Sequence, residues 1–224
     1  MEILKGKIAE VFKSIQGEGI YQGVSQVFVR FFGCNLKCKF CDTKLDKYLF
    51  LGLEELLDKI NTYRDYHSIS ITGGEPLLEI NFLKVLTKKL KEEGRIIYLE
   101  TNGILPRSLS EIIDYIDIVS MDFKLPSSSG EKEFWFQHRE FLKVAVRKDV
   151  FVKAVISEKT LVEDIRIAMA IIKETDANLP FVLQPQNPLE DILQERIEYF
   201  EKLCLEDNIN VKVIPQLHKK LSIK

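Results

Sequence analysis

Three of the chain's four cysteines, Cys34, Cys38 and Cys41, stand within eight positions of one loop, "GCNLKCKFCDT". Three thiols are too many for one disulfide and one short of the four ligands that a structural zinc site prefers. Their polar neighbours Asn35, Lys37, Lys39 and Asp42 argue against inert, buried side chains. Two kinds of metal centre suit such a loop. Zinc would have to recruit a fourth ligand from Cys204 or one of the three histidines, none of them nearby in sequence. A four-iron cluster is held by soft thiolates, and three of them leave one iron open to an outside ligand.

A second chemical stretch is "TGGEP", residues 72–76, after the apolar run "SISI". Glycines at a strand-to-helix turn let the backbone approach a ligand where a side chain would collide. The carbonyls of Gly73 and Gly74, with the Glu75 carboxylate, can receive an ammonium group. The same residues also read as an ordinary turn in which Glu and Pro open a helix. Further polar residues stand at element ends. Arg30 can grip a carboxylate through two parallel bonds or form a surface ion pair. Gln16 and Glu18, between Gly17 and Gly19, offer donors and acceptors to a heterocycle. Glu100 in "ETNG" can reach ribose hydroxyls or cap its loop. His67, His138 and the run Phe134 to Phe136 read as packing, and Cys204 as a buried thiol on an amphipathic helix.

The elements that must position these residues alternate in type. Strand patterns at 9–15, 25–33, 68–72, 95–101, 117–124, 150–156, 180–185 and 210–215 are separated, from the second onward, by helical patterns at 53–66, 78–94, 107–116, 133–147, 160–175 and 189–207. The stretch "LPSSSG" reads as a polar loop. Repeated β-then-α units predict a parallel sheet with right-handed crossovers. An incomplete barrel and a doubly wound sheet both satisfy that pattern, and either gathers functional residues at the carboxyl ends of the strands.

The bulk numbers agree with one globular domain over residues 1–224. Hydrophobic residues make up 46% and charged residues 29%, with a formal net charge of −2, so composition gives no reason to invoke a nucleic-acid or membrane partner. The N-terminus lacks the pattern of a secretory signal, and no apolar run is long enough to span a bilayer. A reducing, cytoplasmic location follows, where clustered cysteines bind metals more often than they form disulfides.

The spacing C-x3-C-x2-C, with Phe40 just before the last cysteine, together with "GGEP" resembles the signature of the radical S-adenosylmethionine (SAM) superfamily. That resemblance implies an α/β fold, an incomplete, modified (β/α) barrel with a mostly parallel sheet. It implies a 4Fe-4S cluster on Cys34, Cys38 and Cys41, with SAM on the open iron and cleaved by one electron to a 5′-deoxyadenosyl radical. SAM contacts carry over to Phe40, Cys41 and Asp42, to Gly74 and Glu75, to Asp122, Phe123 and Lys124, and to Gln184, Pro185, Gln186 and Asn187.

A longer match narrows the family. The run "VFKSIQGEGIYQGVSQVFVRFFGCNLKCKFCDT", with "TGGEP", "ETNG", "QPQN" and the terminal "QLHKKLSIK", resembles the 7-carboxy-7-deazaguanine synthases of 7-deazapurine biosynthesis. It implies conversion of 6-carboxy-5,6,7,8-tetrahydropterin to 7-carboxy-7-deazaguanine with loss of ammonia, begun by hydrogen abstraction at C6. It further implies Mg2+ on Thr43 and substrate contacts at Ile15, Gln16, Gly17, Arg30, Thr72 and the terminal carboxylate of Lys224. Glu18 would position an amine or move a proton, and His218 carries only a weak expectation of contact. A homodimer and an electron donor such as a flavodoxin or ferredoxin complete the expectation. One departure stands out: the family's Ser-Pro-Lys appears here as Asp122-Phe123-Lys124. Two rival readings remain, an activase that installs a glycyl radical on a partner protein and a zinc- or cluster-binding module without catalysis.

Overall fold

A computed structural model describes residues 4–43, 45–188 and 191–217. The chain opens with strands β1 (Gly6–Ile15), β2 (Ser25–Phe31) and β3 (Leu49–Leu51), then helix α1 (Leu53–Asn61). Strand–helix pairs follow: β4 (Ser68–Gly73) with α2 (Ile80–Glu92), β5 (Ile97–Thr101) with α3 (Pro106–Ile112), and β6 (Ile118–Asp122) with α4 (Pro126–Ser129) and α5 (Trp135–Ala145). The last are β7 (Asp149–Ile156) with α6 (Val162–Thr175), β8 (Phe181–Pro185) with α7 (Asp191–Glu206), and β9 (Val211–Val213).

Among the described residues the strands form one nine-stranded sheet, ordered β3-β1-β2-β4-β5-β6-β7-β8-β9. From β2 to β9 every neighbouring pair is parallel, whereas β1 runs antiparallel to both β2 and β3. The parallel strands follow chain order without a reversal. A doubly wound sheet needs such a reversal, so that alternative falls away. Right-handed crossovers in unbroken order put the helices on one face, and β3 and β9 remain as open edges. The result is the expected incomplete barrel with a mostly parallel sheet.

Alternation along each strand then sorts side chains between two faces. On the helix side Val27, Val29, Ile69, Ile71, Leu99, Val119 and Val152 join the main core with Leu56, Leu83, Phe141, Ile165 and Phe200 from the helices. Each fully buried side chain of this size contributes about 1.5–3 kcal/mol. The other face carries Gln26, Arg30, Ser70, Thr72, Glu100, Ser120, Asp122 and Lys153, set side by side by the registers Arg30↔Thr72, Glu100↔Ser120 and Asp122↔Lys153. This polar inner face is the ground on which the site is built.

Several local expectations are corrected. Helix α1 stops at Asn61 rather than continuing to Tyr66: the apolar stripe ends at Ile60, the Thr62 hydroxyl bonds back to the Lys59 carbonyl at 2.7 Å, and Asp65 takes φ +54°. Strand β3 had no counterpart in the sequence pattern. It exists because β1 offers an edge to Leu49, Phe50 and Leu51. Residues 126–129 form the short helix α4 instead of a loop. Pro126 takes the first helical position, where its missing N–H costs nothing, and the Asp164 carboxylate accepts from the Ser127 amide at 2.9 Å.

Polar side chains also reach the inner face from the end of the sheet away from the carboxyl ends of the parallel strands. The turn 16–24 closes that end. Its Ile20 and Tyr21 pack on Tyr98, Ile118, Phe151 and Val182, and its two ends are clasped by the bond from the Gln16 amide to the Val24 carbonyl, 2.7 Å. From this floor, Gln16 and Glu18 send their side chains to groups on the inner face.

Candidate functional site

The cysteine loop leaves β2 and rests on α4. The Lys39 amide donates to the Ser129 carbonyl at 2.8 Å, and the Lys37 amide donates to the Glu131 carboxylate. The supposed polar loop "LPSSSG" is therefore the shelf that carries the thiols. Cys34 and Cys41 are exposed, Cys38 is half-buried, and all three are free thiols. Cys38 packs beside Leu36, Ile104 and Phe134, and the Leu36 amide donates to Cys34 Sγ at 3.4 Å. Burial pushes the Cys38 thiol up to about 11 and the Cys34 thiol in the same direction, while the Lys124 ammonium pulls both down.

The donor set distinguishes the two metal centres. Cys204 is buried in α7, His67 lies beside Tyr21 at the floor, and both ring nitrogens of His138 are engaged. None of these completes a four-ligand zinc site on the loop. Among the described residues no three His, Cys, Asp or Glu side chains converge as a single ion requires. Three free thiols spaced around one loop instead suit a four-iron cluster, where each thiolate takes a separate iron.

Behind the thiols lies the "GGEP" turn. A Cβ on Gly74 would stand 2.1 Å from the Gly33 carbonyl oxygen and 2.9 Å from Cys34 Cβ, so only glycine lets this turn pack against the cysteine loop. The Glu75 carboxylate points inward. It accepts from the Leu77 amide at 3.0 Å, the Asn102 amide at 2.8 Å and the Thr101 hydroxyl at 3.0 Å. Burial raises its pKa to about 7 against those donors. Glu75 thus ties the turn to the loop after β5. Asn102 extends the tie, donating from Nδ2 to Asn35 Oδ1 at 2.9 Å in the cysteine loop.

Glu100 gathers the expected substrate contacts. Its carboxylate accepts from Gln16 Nε2 at 2.7 Å, Ser70 Oγ at 3.2 Å and Thr72 Oγ1 at 2.8 Å. Gln16 also donates to Gln26 Oε1 at 3.0 Å. This is a carboxylate held by neutral donors. Arg30 stands in register with Thr72, but its guanidinium lies 3.4 Å from Glu10 and over the Phe12 ring.

Lys153 and Lys124 anchor the other half. The Lys153 ammonium pairs with Glu18 and lies 3.2 Å from Asp122 Oδ1. Lys124 bonds Asp122 Oδ2 at 2.6 Å and sits over the Phe40 ring of the cysteine loop. Burial works to raise the Glu18 carboxyl, yet Lys153 overcomes it and the net direction is down. Gln216 Nε2 donates to the second Glu18 oxygen at 2.6 Å. Glu18 is thereby held ionised.

The remaining expectations separate cleanly. Gln184 is buried, and its Oε1 has no hydrogen-bond partner among the described residues. The Gln186 amide donates to the Ile156 carbonyl at 2.9 Å, and exposed Asn187 donates to Gln216 Oε1 at 2.6 Å. Pro185 closes β8. The Phe123 side chain belongs to the core. Cys41 Sγ reaches the Thr43 carbonyl at 3.8 Å. Ile15 ends β1 and Gly17 accepts from the Leu217 amide at 2.8 Å. Lys224 and His218 lie outside the described residues. The sequence pattern missed Lys153 and the bridging role of His138, because a lone Lys in "VFVKAVI" and a His among aromatics carry no motif.

Residues 28–176 match the model of the radical SAM superfamily. A 7-carboxy-7-deazaguanine synthase of Geobacter sulfurreducens is 35% identical over 241 residues, covering 95% of this chain and 96% of the relative. The synthase of Methanothermobacter thermautotrophicus is 33% identical over 251 residues, covering 100% of both. Among solved structures, QueE from Escherichia coli superposes with a TM-score of 0.65 at 23% identity, covering 93% of each chain. SuiB of Streptococcus suis bound to S-adenosylmethionine gives 0.59 at 18%, over 82% of this chain and 48% of that one. These two likenesses speak to the fold.

Proposed function

Since the chain belongs to the 7-carboxy-7-deazaguanine synthase family within the radical SAM superfamily, we propose that it contracts 6-carboxy-5,6,7,8-tetrahydropterin to 7-carboxy-7-deazaguanine with loss of ammonia. The observation that carries this reading is the near-full-length identity to synthases, which places it ahead of the activase and of the non-catalytic module. When bound, the 4Fe-4S cluster and SAM would supply the one-electron chemistry that begins the reaction at C6 of the substrate.

The chain's own residues then divide the work. Cys34, Cys38 and Cys41 hold the cluster, and the backbone of Gly73 and Gly74 receives the SAM ammonium. Phe40, Asp42 and the strand ends at Asp122, Lys124, Gln184 and Gln186 line the nucleoside side. Thr43 offers a hard oxygen to Mg2+, with substrate and water filling the other positions. Glu100 presents a carboxylate to the ring N–H donors of the pterin, steadied by Gln16 and Thr72. Arg30 meets the substrate's polar groups. Glu18 serves as a fixed anion that shapes the floor rather than as a proton carrier, because Lys153 and Gln216 occupy its oxygens. We further read residues 1–224 as one radical SAM domain acting in the cytoplasm, reduced by a flavodoxin or ferredoxin. Exposed Leu49 and Phe50 on edge strand β3 support a homodimer.

The test is anaerobic turnover of the reconstituted protein with the carboxytetrahydropterin, SAM and a reductant, with mass detection of product. Deazaguanine formed over many turnovers per SAM is expected. A full iron and sulfide complement without product would reject the reaction, and zinc at one per chain would favour the binding module. In the same series Cys38→Ala should lose the cluster while far-ultraviolet circular dichroism stays unchanged, since Cys38 touches only a small satellite cluster.

A further inference from the structure

His138 read from sequence as packing, yet its ring is the joint between two loops of the site. It projects from α5, is fully buried, and lies 4.9 Å from the Phe123 ring. Nδ1 stands 3.1 Å from the Gly103 carbonyl oxygen in the loop after β5. Nε2 accepts from the Lys124 amide, also at 3.1 Å, in the loop after β6. A carbonyl can only accept and an amide can only donate, so the ring is neutral with its proton on Nδ1. The contact is close: a Cβ on Gly103 would lie 3.2 Å from Nδ1.

Each bridged loop sends one side chain to the cysteine loop. Asn102, beside Gly103, donates to Asn35. Lys124 places its ammonium over the Phe40 ring, 5.6 Å from its centroid. The two contacts come from different strands, and their spacing is fixed by whatever holds the loops together behind them. One rigid ring with a donor and an acceptor at opposite sides meets that need. An apolar ring of the same size would fill the space and leave both backbone groups buried and unpaired.

We propose that His138 is a positioning residue of the cluster and SAM site: it holds the Gly103 carbonyl and the Lys124 amide at a set spacing, and so indexes Asn102 and Lys124 against the cysteine loop. This rests on the radical SAM reading of the site. The test compares His138→Phe, His138→Gln and Leu142→Ala, the last a buried α5 residue that makes no bond to either loop. Each protein is reconstituted anaerobically, assayed for iron and sulfide, and titrated with SAM while the electron paramagnetic resonance spectrum of the reduced cluster is recorded.

His138→Phe should keep its cluster but bind SAM at least tenfold more weakly, with the SAM-induced spectral change lost or broadened. His138→Gln, whose amide again offers one donor and one acceptor, should recover affinity to within about threefold of the parent. Leu142→Ala should lower the melting temperature without moving SAM affinity. Parent-like SAM binding and spectra in His138→Phe would overturn the proposal, as would equal loss of affinity in Leu142→Ala. Should His138→Phe fail to fold, His138→Gln decides alone: near-parent affinity supports the proposal and a tenfold loss overturns it. Failure of the parent itself to take up a cluster or SAM would strike the radical SAM reading instead.

Discussion

At the scale of single residues the inner face is governed by a few buried charges. Lys153 sits between Glu18 and Asp122. Burial would lower its pKa, but the two carboxylates outweigh that and the net direction is up. Breaking a buried pair leaves the partner uncompensated, at a cost of about 3–5 kcal/mol. Lys153→Met should fall near the lower end, about 3 kcal/mol, because Asp122 keeps Lys124. The double variant with Glu18→Gln should recover at least half of it. Urea denaturation at pH 7 checks both, and equal losses in the single and double variants would refute the coupling. His138 gives a pH-dependent companion. Burial, aided by Lys124 and opposed by Gly103 and Asp122, pushes its pKa from 6.5 to about 3. Between those values the unfolded chain binds a proton that the folded chain does not, so stability drops as pH falls through that window. The slope is about 1.4 kcal/mol per pH unit, or about 2 kcal/mol by pH 5. Glu75, raised from 4.5 to about 7, contributes the opposite slope between those two values, favouring the fold at the acid end. The parent's net profile is therefore shallow near pH 5–6, and the difference between parent and His138→Gln isolates the histidine. Denaturation at pH 7.5 and 5 should show the variant gaining about 2 kcal/mol on the parent. Gln16 and Thr72 were legible in the sequence because they stand in motifs. Lys153 was not, because in a strand with one solvated face a lone lysine reads as outward, and only closure of the inner face turns it inside.

At the scale of elements the site depends on turns that touch. The "GGEP" turn presses its backbone on the start of the cysteine loop, where a Gly74 Cβ would meet the Gly33 carbonyl oxygen at 2.1 Å. Backbone cannot yield there as a flexible side chain can. Gly74→Ala should displace residues 33–34 and hold less than half the parent's iron after reconstitution, with the melting temperature only slightly lowered because the displaced segment is exposed loop. Parent-level iron and sulfide would show that the loop tolerates the shift. The long elements were plain in the sequence, since 5–16 residues of β or helical period suffice to declare a strand such as β5 or a helix such as α7. The short ones were not. β3, of 3 residues, and α4, of 4, carry no period of their own. They exist through partners distant in sequence, the β1 edge and Asp164. The shelf beneath the thiols was hidden for that reason, although the thiols themselves were the clearest signal in the chain.

At the scale of the whole molecule the sheet is open, and the floor is what joins its two sides. β9 lies at one edge, while β1 and β2 lie near the other. The segment after β9 crosses to the turn between β1 and β2, where the Leu217 amide donates to the Gly17 carbonyl at 2.8 Å. Gln22 clips the same junction from the turn, donating to Gly17 at 3.1 Å and to the Pro215 carbonyl at 2.6 Å. The Gln22–Pro215 bond links residues 193 positions apart, and together these bonds hold in place the stretch that carries Gln16 and Glu18. Gln22 touches neither the thiols nor the strand ends expected to meet SAM, so its loss should separate closure from cofactor binding. Gln22→Ala removes two bonds worth about 1 kcal/mol each, and global stability should fall by about 2 kcal/mol. The KM for the pterin should rise several-fold while SAM affinity stays within twofold. Hydrogen exchange gives the sharper reading. If the junction closes the barrel, amides in residues 16–24 and in 211–217 should both exchange faster in the variant. Acceleration confined to the turn would mean that the two sides of the sheet are held together elsewhere.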